Sequence, residues 1–275
     1  VTDECIHGFP TELCDICAPR QRDVPEVPKA PAPRRTRVST SLRSTPGGSP
    51  ARAKATALRV AQPELPATRV FGTLRAHHVT HIDNFDAIVA DQAIAAADRI
   101  TPSYDISAPE LRARRAAATA PDGSPVSNHV PFSLSPDGAR WDEVRRGAED
   151  TTRWSDAARQ ARGIDYVVLV VPTAAFGASV ILADTDADDD DVRFAVGPEA
   201  AANLLRRTDM TDPEMHGLEL LAGPSVPFSS VAVIGVPNDR TRHAVKDILS
   251  EHGGHAPRVA VFPPWFVPPV VPDED

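Results

Sequence analysis

The sequence predicts an α+β fold for most of this 275-residue chain, and three observations predict it. Four short apolar runs rich in β-branched residues fall in the second half of the chain. Each is bounded by Pro, Gly or Asp, as strands commonly are. Three segments carry helix signals, at 84–97, 109–118 and 239–252. The two kinds of element are interspersed without the strict alternation that builds a doubly wound parallel sheet.

Taken in order, the first helix is expected over Asn84–Ala97, where Asp83 or Asn84 offers a side-chain cap. The second starts at Pro109, a residue that suits the first turn of a helix, and runs to Ala118. The strands follow at Tyr166–Val171 and Ser179–Leu182. The stretch Asp-Thr-Asp-Ala-Asp-Asp-Asp-Asp at 184–191 looks superficially like a calcium loop. It lacks the glycine and the terminal glutamate that such a loop requires, so it reads as a solvated acidic loop. A third strand spans Val231–Val236, and the helix Asp239–His252 stops at Gly253-Gly254, a strong C-terminal signal. The strand Arg258–Phe262 comes last. Some 200 residues suffice for one domain with a sizeable core, expected over 67–270.

A different chemistry occupies the N-terminus. All three cysteines lie in the first 17 residues, as Cys5-Ile6-His7 and Cys14-Asp15-Ile16-Cys17. Three thiols and an imidazole at this spacing form a tetrahedral zinc ligand set of Cys5, His7, Cys14 and Cys17. An odd cysteine count argues against a disulfide framework, and no secretory apolar segment precedes the cluster. A reduced, cytoplasmic protein with a small zinc-finger-like module over 1–18 is therefore expected, its folding energy supplied by a structural Zn2+.

Residues 19–66 read as a disordered linker, with recurrent proline and almost no large apolar side chain. Its charge is distinctive. Between 18 and 62 there are ten Lys/Arg against two acids, while 1–17 holds four acids and no base. With −9 on the whole chain, the remainder carries −13. A basic tether on an acidic body points to contact with a polyanion, nucleic acid being the first candidate, or else to a solubilising linker. No run approaches the roughly 18 apolar residues of a membrane span.

Several segments resemble one family. His78-Val79-Thr80-His81-Ile82-Asp83-Asn84-Phe85 is similar to the opening "H-I-T-H-x-D-N-L" of the DarT family, the DNA ADP-ribosyltransferase toxins. Ala93-Ile94 falls at that family's "I-L-x-x-G-L" without its glycine. Pro109–Arg115 resembles "E-I-x-x-x-R", His129-Val130-Pro131-Phe132 resembles "Y-V-P-F", and Leu218-Glu219-Leu220-Leu221 resembles "A-E-F-L". Val226-Pro227-Phe228, Val233–Val236 and the closing Arg258–Phe266 follow in the family's order. The resemblance spans about 75 to 267 and leaves out the finger and the linker. One departure stands out. After Val-Pro-Phe the family continues "Y-F-x-P-R-S-P-M", whereas here the chain reads Ser133–Trp141, leaving Arg140 and Trp141 as the candidate replacements for an absent arginine and tyrosine.

The resemblance implies an ADP-ribosyltransferase-like mixed sheet with flanking helices, and NAD as substrate. It implies Glu219 as the catalytic carboxylate, Arg115 as the arginine at the reaction centre (Arg114 if the register slips by one), and His78, Thr80 and Asn84 as NAD-holding residues. His81 and Asp83 would be structural neighbours. These residue types suit the chemistry, since a carboxylate stabilises an oxocarbenium-like transition state and a guanidinium fork suits phosphate oxygens. Read without the resemblance, Glu219 amid leucines is either exposed on a helix face or lines a site, and Arg112, Arg114 and Arg115 are a solvated helix face. No Gly-x-Gly-x-x-Gly appears, so NAD rests on the resemblance alone. The implied partners are single-stranded DNA, with RNA or protein as the alternative acceptor, and a macrodomain antitoxin. A toxin or phage-defence role follows. The competing reading is a catalytically inactive, zinc-dependent nucleic-acid binding protein.

Overall fold

Residues 71–206 and 217–268 are described by a computed structural model of the chain. The cysteine cluster, the linker and the segment 207–216 lie outside the described residues. The fold is the expected α+β type, a large mixed sheet with helices around it.

Its organising element is β4, Tyr166–Pro172, whose first six residues are all buried. Such a run shows no polar alternation because both faces of the strand are covered. Val167, Leu169 and Val171 belong to one apolar cluster, while Tyr166, Val168 and Val170 belong to another on the opposite face. β1, Arg75–His81, pairs antiparallel with β4 along its whole length, from Arg75↔Pro172 to His81↔Tyr166. On the far side of β4 lie β9, Val233–Val236, and then β10, Arg258–Val261, which runs parallel to β9. Beyond β1 come β3 (Val130–Ser133), β7 (Glu219–Ala222), β5 (Ile181–Ala183) and β6 (Phe194–Val196). The strand order is β10-β9-β4-β1-β3-β7-β5-β6.

The join between β1 and β3 is the weak point of this sheet, with one register pair, His77↔Ser133. Side chains take over where the ladder lapses. His78 Nδ1 donates to the Pro131 carbonyl at 2.9 Å and His77 Nδ1 to the Ser133 carbonyl at 3.3 Å. A carbonyl can only accept, so both rings carry their hydrogen on Nδ1 when neutral.

Helices cover the sheet. They are α1 (Phe85–Ala90), α2 (Pro109–Ala117), α3 (Ala139–Arg145), α4 (Asp156–Gln160), α5 (Gly197–Leu205) and α6 (Asp239–His252). The bounds of α6 are those expected. Asn238 caps it by accepting from Thr241 N–H, and Gly253 closes it at φ 67°, a backbone that favours glycine. The first helix differs from expectation. It ends at Ala90, Gln92 takes φ 51°, and Ala93–Ala95 forms β2, paired antiparallel with β8, Ser225–Pro227. Burial of Ile94 and Val226 in the main apolar cluster overrides the helical propensity of an alanine-rich stretch. The strands expected at 179–182, 231–236 and 258–262 appear at 181–183, 233–236 and 258–261.

The chain's last described turn staples the second core cluster. Trp265 lies over Gly235 of β9, so that a Cβ there would meet its ring atoms at 2.6 and 2.7 Å. The Trp265 carbonyl accepts from Trp141 Nε1 at 2.7 Å and from the buried Arg145 at 3.3 Å. Gly235→Ala must displace that ring, and we expect a loss of about 1–3 kcal/mol of stability in urea titration, the usual range for overpacking.

Candidate active site

The parted strands β1 and β3 border a cleft of about 170 Å³ that opens to solvent. His77, His78 and Val79 line it from β1, and Pro131, Phe132 and Ser133 from β3. Arg140 and Trp141 of α3, Asp186 and Glu219 are among its other lining residues.

Glu219 is the first residue of β7, not part of a helix face, and its register Ser133↔Glu219↔Ala183 sets it between two neighbouring strands. It is 4% exposed. A carboxylate so enclosed needs partners, and it has them. Arg115, in the last turn of α2, donates Nη2 to Oε1 at 2.9 Å and Nη1 to Oε2 at 3.2 Å. The two-point fork is the strong form of this interaction. The Ala187 backbone N–H adds a third bond to Oε2 at 2.8 Å. Arg140 Nη1 stands 3.8 Å from Oε1. Burial alone would raise the pKa of Glu219. The charges of Arg115 and then Arg140, with the bonds from Arg115 and Ala187, outweigh it and hold the group down to about 2. The carboxylate is therefore fully charged throughout the physiological range, a strong electrostatic group and a weak proton acceptor.

Arg115 is the arginine that meets Glu219. Its neighbour Arg114 is half exposed and turns to Asp188, while Arg112 pairs with Asp105. Arg115 is thus not part of a solvated helix face. Nor is the acidic stretch 184–191 a purely solvated loop. Asp188 has a side chain only 3% exposed and accepts from Arg114, Arg115 and Arg140, and Asp186 accepts from Arg140 and Arg153. Opposite charge, which the linear sequence separates by more than 30 residues, turns part of this loop inward.

The other expected site residues divide. His78 lines the cleft, its ring tilted against that of Phe132 at 5.5 Å between centroids. Thr80 and Asn84 stand outside its lining and meet each other, Asn84 Nδ2 donating to Thr80 Oγ1 at 3.2 Å. The Asn84 amide also holds Tyr104, donating to its carbonyl at 2.9 Å and accepting from its N–H at 2.8 Å. Tyr104 in turn stacks on His81 at 3.7 Å between ring centroids. This triad orders the loop before α2. His81 accepts from Asp83 N–H, and burial lowers its pKa against Asp83 and Asp165. The ring is then neutral, so its 3.4 Å approach to the Asp83 carboxylate is no ion pair at neutral pH. Trp141 is buried in the second core cluster, its Nε1 bonded to the Trp265 carbonyl, and is not a free stacking face. Arg140 does reach the cleft. Sequence reasoning missed Asp186, Ala187, Asp188 and Tyr104, which no local motif marks.

Comparison with known proteins gives one family. A family model described as ssDNA thymidine ADP-ribosyltransferase, DarT, matches residues 77–267. No curated protein matches the sequence. Among solved structures, the DarT of Thermus sp. 2.9 in complex with ADP-ribosylated ssDNA is 20% identical, with a TM-score of 0.60 over 70% of this chain and 96% of that one. The same protein in complex with NAD+ gives a TM-score of 0.56 at 20% identity, over 70% and 98%. The DarTG of Thermosipho africanus in complex with ADP-ribose gives 0.51 at 13% identity, over 70% and 51%. These similarities establish the fold.

The cleft histidines set a pH dependence. Burial lowers the pKa of His77 and of His78, against their bonds to Ser133 and Pro131, and it lowers that of His81. Below the ordinary value of 6.5, the unfolded chain takes up protons that the folded chain refuses, so stability falls as pH falls. The melting temperature should be nearly level just above 6.5 and decline below it, and His78→Gln should shallow that decline.

Proposed function

This chain belongs to the DarT family of ssDNA ADP-ribosyltransferases, and on that premise we propose that Glu219 and Arg115 form its reaction centre for transfer of ADP-ribose from NAD to thymidine. The observation that carries this reading is the Glu219 carboxylate at the cleft wall, held at two points by the buried Arg115.

In the reaction, the bond between nicotinamide and the C1′ of its ribose breaks, and its electron pair leaves with neutral nicotinamide. The ribose is left as an oxocarbenium-like cation. Glu219, ionised in advance, stabilises that charge from a preorganised position. The thymine ring nitrogen that bears a hydrogen attacks C1′, forms the new bond and gives up its proton. Glu219 takes that proton only once Arg115 is drawn off it, because the pair holds its basicity down. Arg115 and Arg140 supply cationic forks for the diphosphate as it enters. His78 offers its remaining ring nitrogen to the cleft as an acceptor, while Thr80 and Asn84 act on NAD indirectly by holding Tyr104 and the loop before α2.

The Thermus relatives were solved with NAD+ and with ADP-ribosylated ssDNA, which supports the same substrates here. A base modified on a single strand blocks templating, which supports a toxin or phage-defence role in the cytoplasm. The family pairing supports a macrodomain antitoxin that binds the enzyme or removes the modification. No helix among the described residues is long and apolar enough to cross a membrane. Cys5, His7, Cys14 and Cys17 are proposed to hold one structural Zn2+, on their spacing. The finger and its basic linker would capture nucleic acid for a catalytic part that is itself acidic, through counterion release.

Glu219→Gln should lower kcat for transfer to a thymidine-containing single-stranded oligonucleotide by about 10²–10³-fold, the usual cost of losing one preorganised electrostatic group. Modification of an RNA or protein pool in place of the oligonucleotide would reassign the acceptor. Removal of residues 1–65 should raise KM for the oligonucleotide and steepen no salt dependence of the NAD step, leaving kcat unchanged. Equal loss of both parameters would refute that division of labour.

A further inference from the structure

Four guanidiniums, from Arg114, Arg115, Arg140 and Arg153, converge on three carboxylates, Asp186, Asp188 and Glu219. The carboxylates do not share them evenly. Asp188 binds three, accepting from Arg140 Nη2 at 2.6 Å, Arg114 Nε at 3.2 Å and Arg115 Nη1 at 3.3 Å. Asp186 takes Arg140 Nε at 2.6 Å and the Arg153 guanidinium. Glu219 takes Arg115 on two atoms, sharing its Nη1 with Asp188, and has Arg140 beside it at 3.8 Å and not yet hydrogen bonded.

We propose that Asp188 is a positioning residue for the transfer reaction. It holds Arg140 off Glu219, fixes the Arg115 fork, and keeps the loop from which Ala187 N–H grips Glu219 Oε2. The inference rests on the reading of Glu219 as the reacting carboxylate. With Asp188 gone, Arg140 has lost the partner of its Nη2, and the nearest carboxylate it does not already bond is Glu219, less than 4 Å away. A second guanidinium on Glu219 would cancel the negative charge that the oxocarbenium needs, while the cleft that admits NAD keeps its walls. The loss would then fall on the chemical step and not on binding.

The same arrangement gives the acidic run a use that its sequence did not reveal. Asp188 and Asp186 face the arginines, whereas Asp190 and Asp191 are exposed and make no such bond among the described contacts. On this proposal turnover needs Asp186 and Asp188, and not Asp190 and Asp191.

The experiment uses the full chain, NAD and a thymidine-containing single-stranded oligonucleotide, with thermal melting as the folding control. Asp188→Asn should lower kcat by on the order of ten- to a hundredfold, the cost of a misplacement of about 1 Å, with KM for NAD changed by less than about threefold on the same argument. At saturating NAD, the double variant Asp188→Asn with Arg140→Gln should have a kcat at least equal to that of Asp188→Asn alone, because the intruding charge has been removed, while its KM for NAD rises with the loss of the Arg140 fork. A purely structural role would not be relieved by a second deletion. If Asp188→Asn does not melt cooperatively, Asp188→Glu keeps the charge but shifts it by a methylene, and the same loss in kcat alone is expected. Wild-type kcat in the folded single variant, a loss in that variant confined to KM, or kcat losses that multiply in the double variant would overturn the proposal. Retention of activity by Glu219→Gln would instead remove the reading of Glu219 on which it rests.

Discussion

The ion pair between Arg115 and Glu219 is the constraint on which the site depends. Separating two such buried partners leaves an uncompensated charge at a cost of about 3–5 kcal/mol, so each element that brings them together is held to its place. Glu219 opens β7, in register with Ser133 and Ala183, and Arg115 ends α2, so the pair ties a helix end to the middle of the sheet. The bonds are worth more as a preorganised charge than as stability, since apolar residues of the same volume would serve the core as well. A carboxylate kept ionised inside a protein suits a reaction whose transition state is a cation.

The sheet makes room for that charge by failing to close. β4 is buried on both faces and pairs fully with β1, which gives a rigid floor. On the other side β1 meets β3 at a single pair, and ring nitrogens of His77 and His78 take up the carbonyls left over. Backbone groups are thus satisfied without a continuous ladder. The same two strands then supply six of the residues that line the cleft. Burial keeps the histidines neutral, so positive charge at the cleft comes from arginine, which does not titrate in this range.

Much of the architecture was legible in the sequence because it is local. The β-branched run at 166–171 needs no partner to read as a buried strand, and the glycine pair after His252 stops a helix by backbone chemistry alone. Ala93–Ala95 misled because its strand character comes from Val226, more than 130 residues away. The reacting pair could be named only through family resemblance, since nothing within five residues of Glu219 or Arg115 announces the other. The acidic run at 184–191 was the larger misreading. Its charges look solvated in isolation and become structural only when α2 and α3 deliver arginines to them.

The central claim, that the Arg115–Glu219 pair marks the reacting position, is tested most directly by a crystal structure with a non-hydrolysable NAD analogue. The account predicts the C1′ of the nicotinamide ribose in the cleft within about 3.5 Å of the Glu219 carboxylate, a near-attack distance, with Arg115 or Arg140 turned to the diphosphate. An analogue bound elsewhere, with Glu219 still closed on Arg115 and out of reach of the ribose, would contradict it.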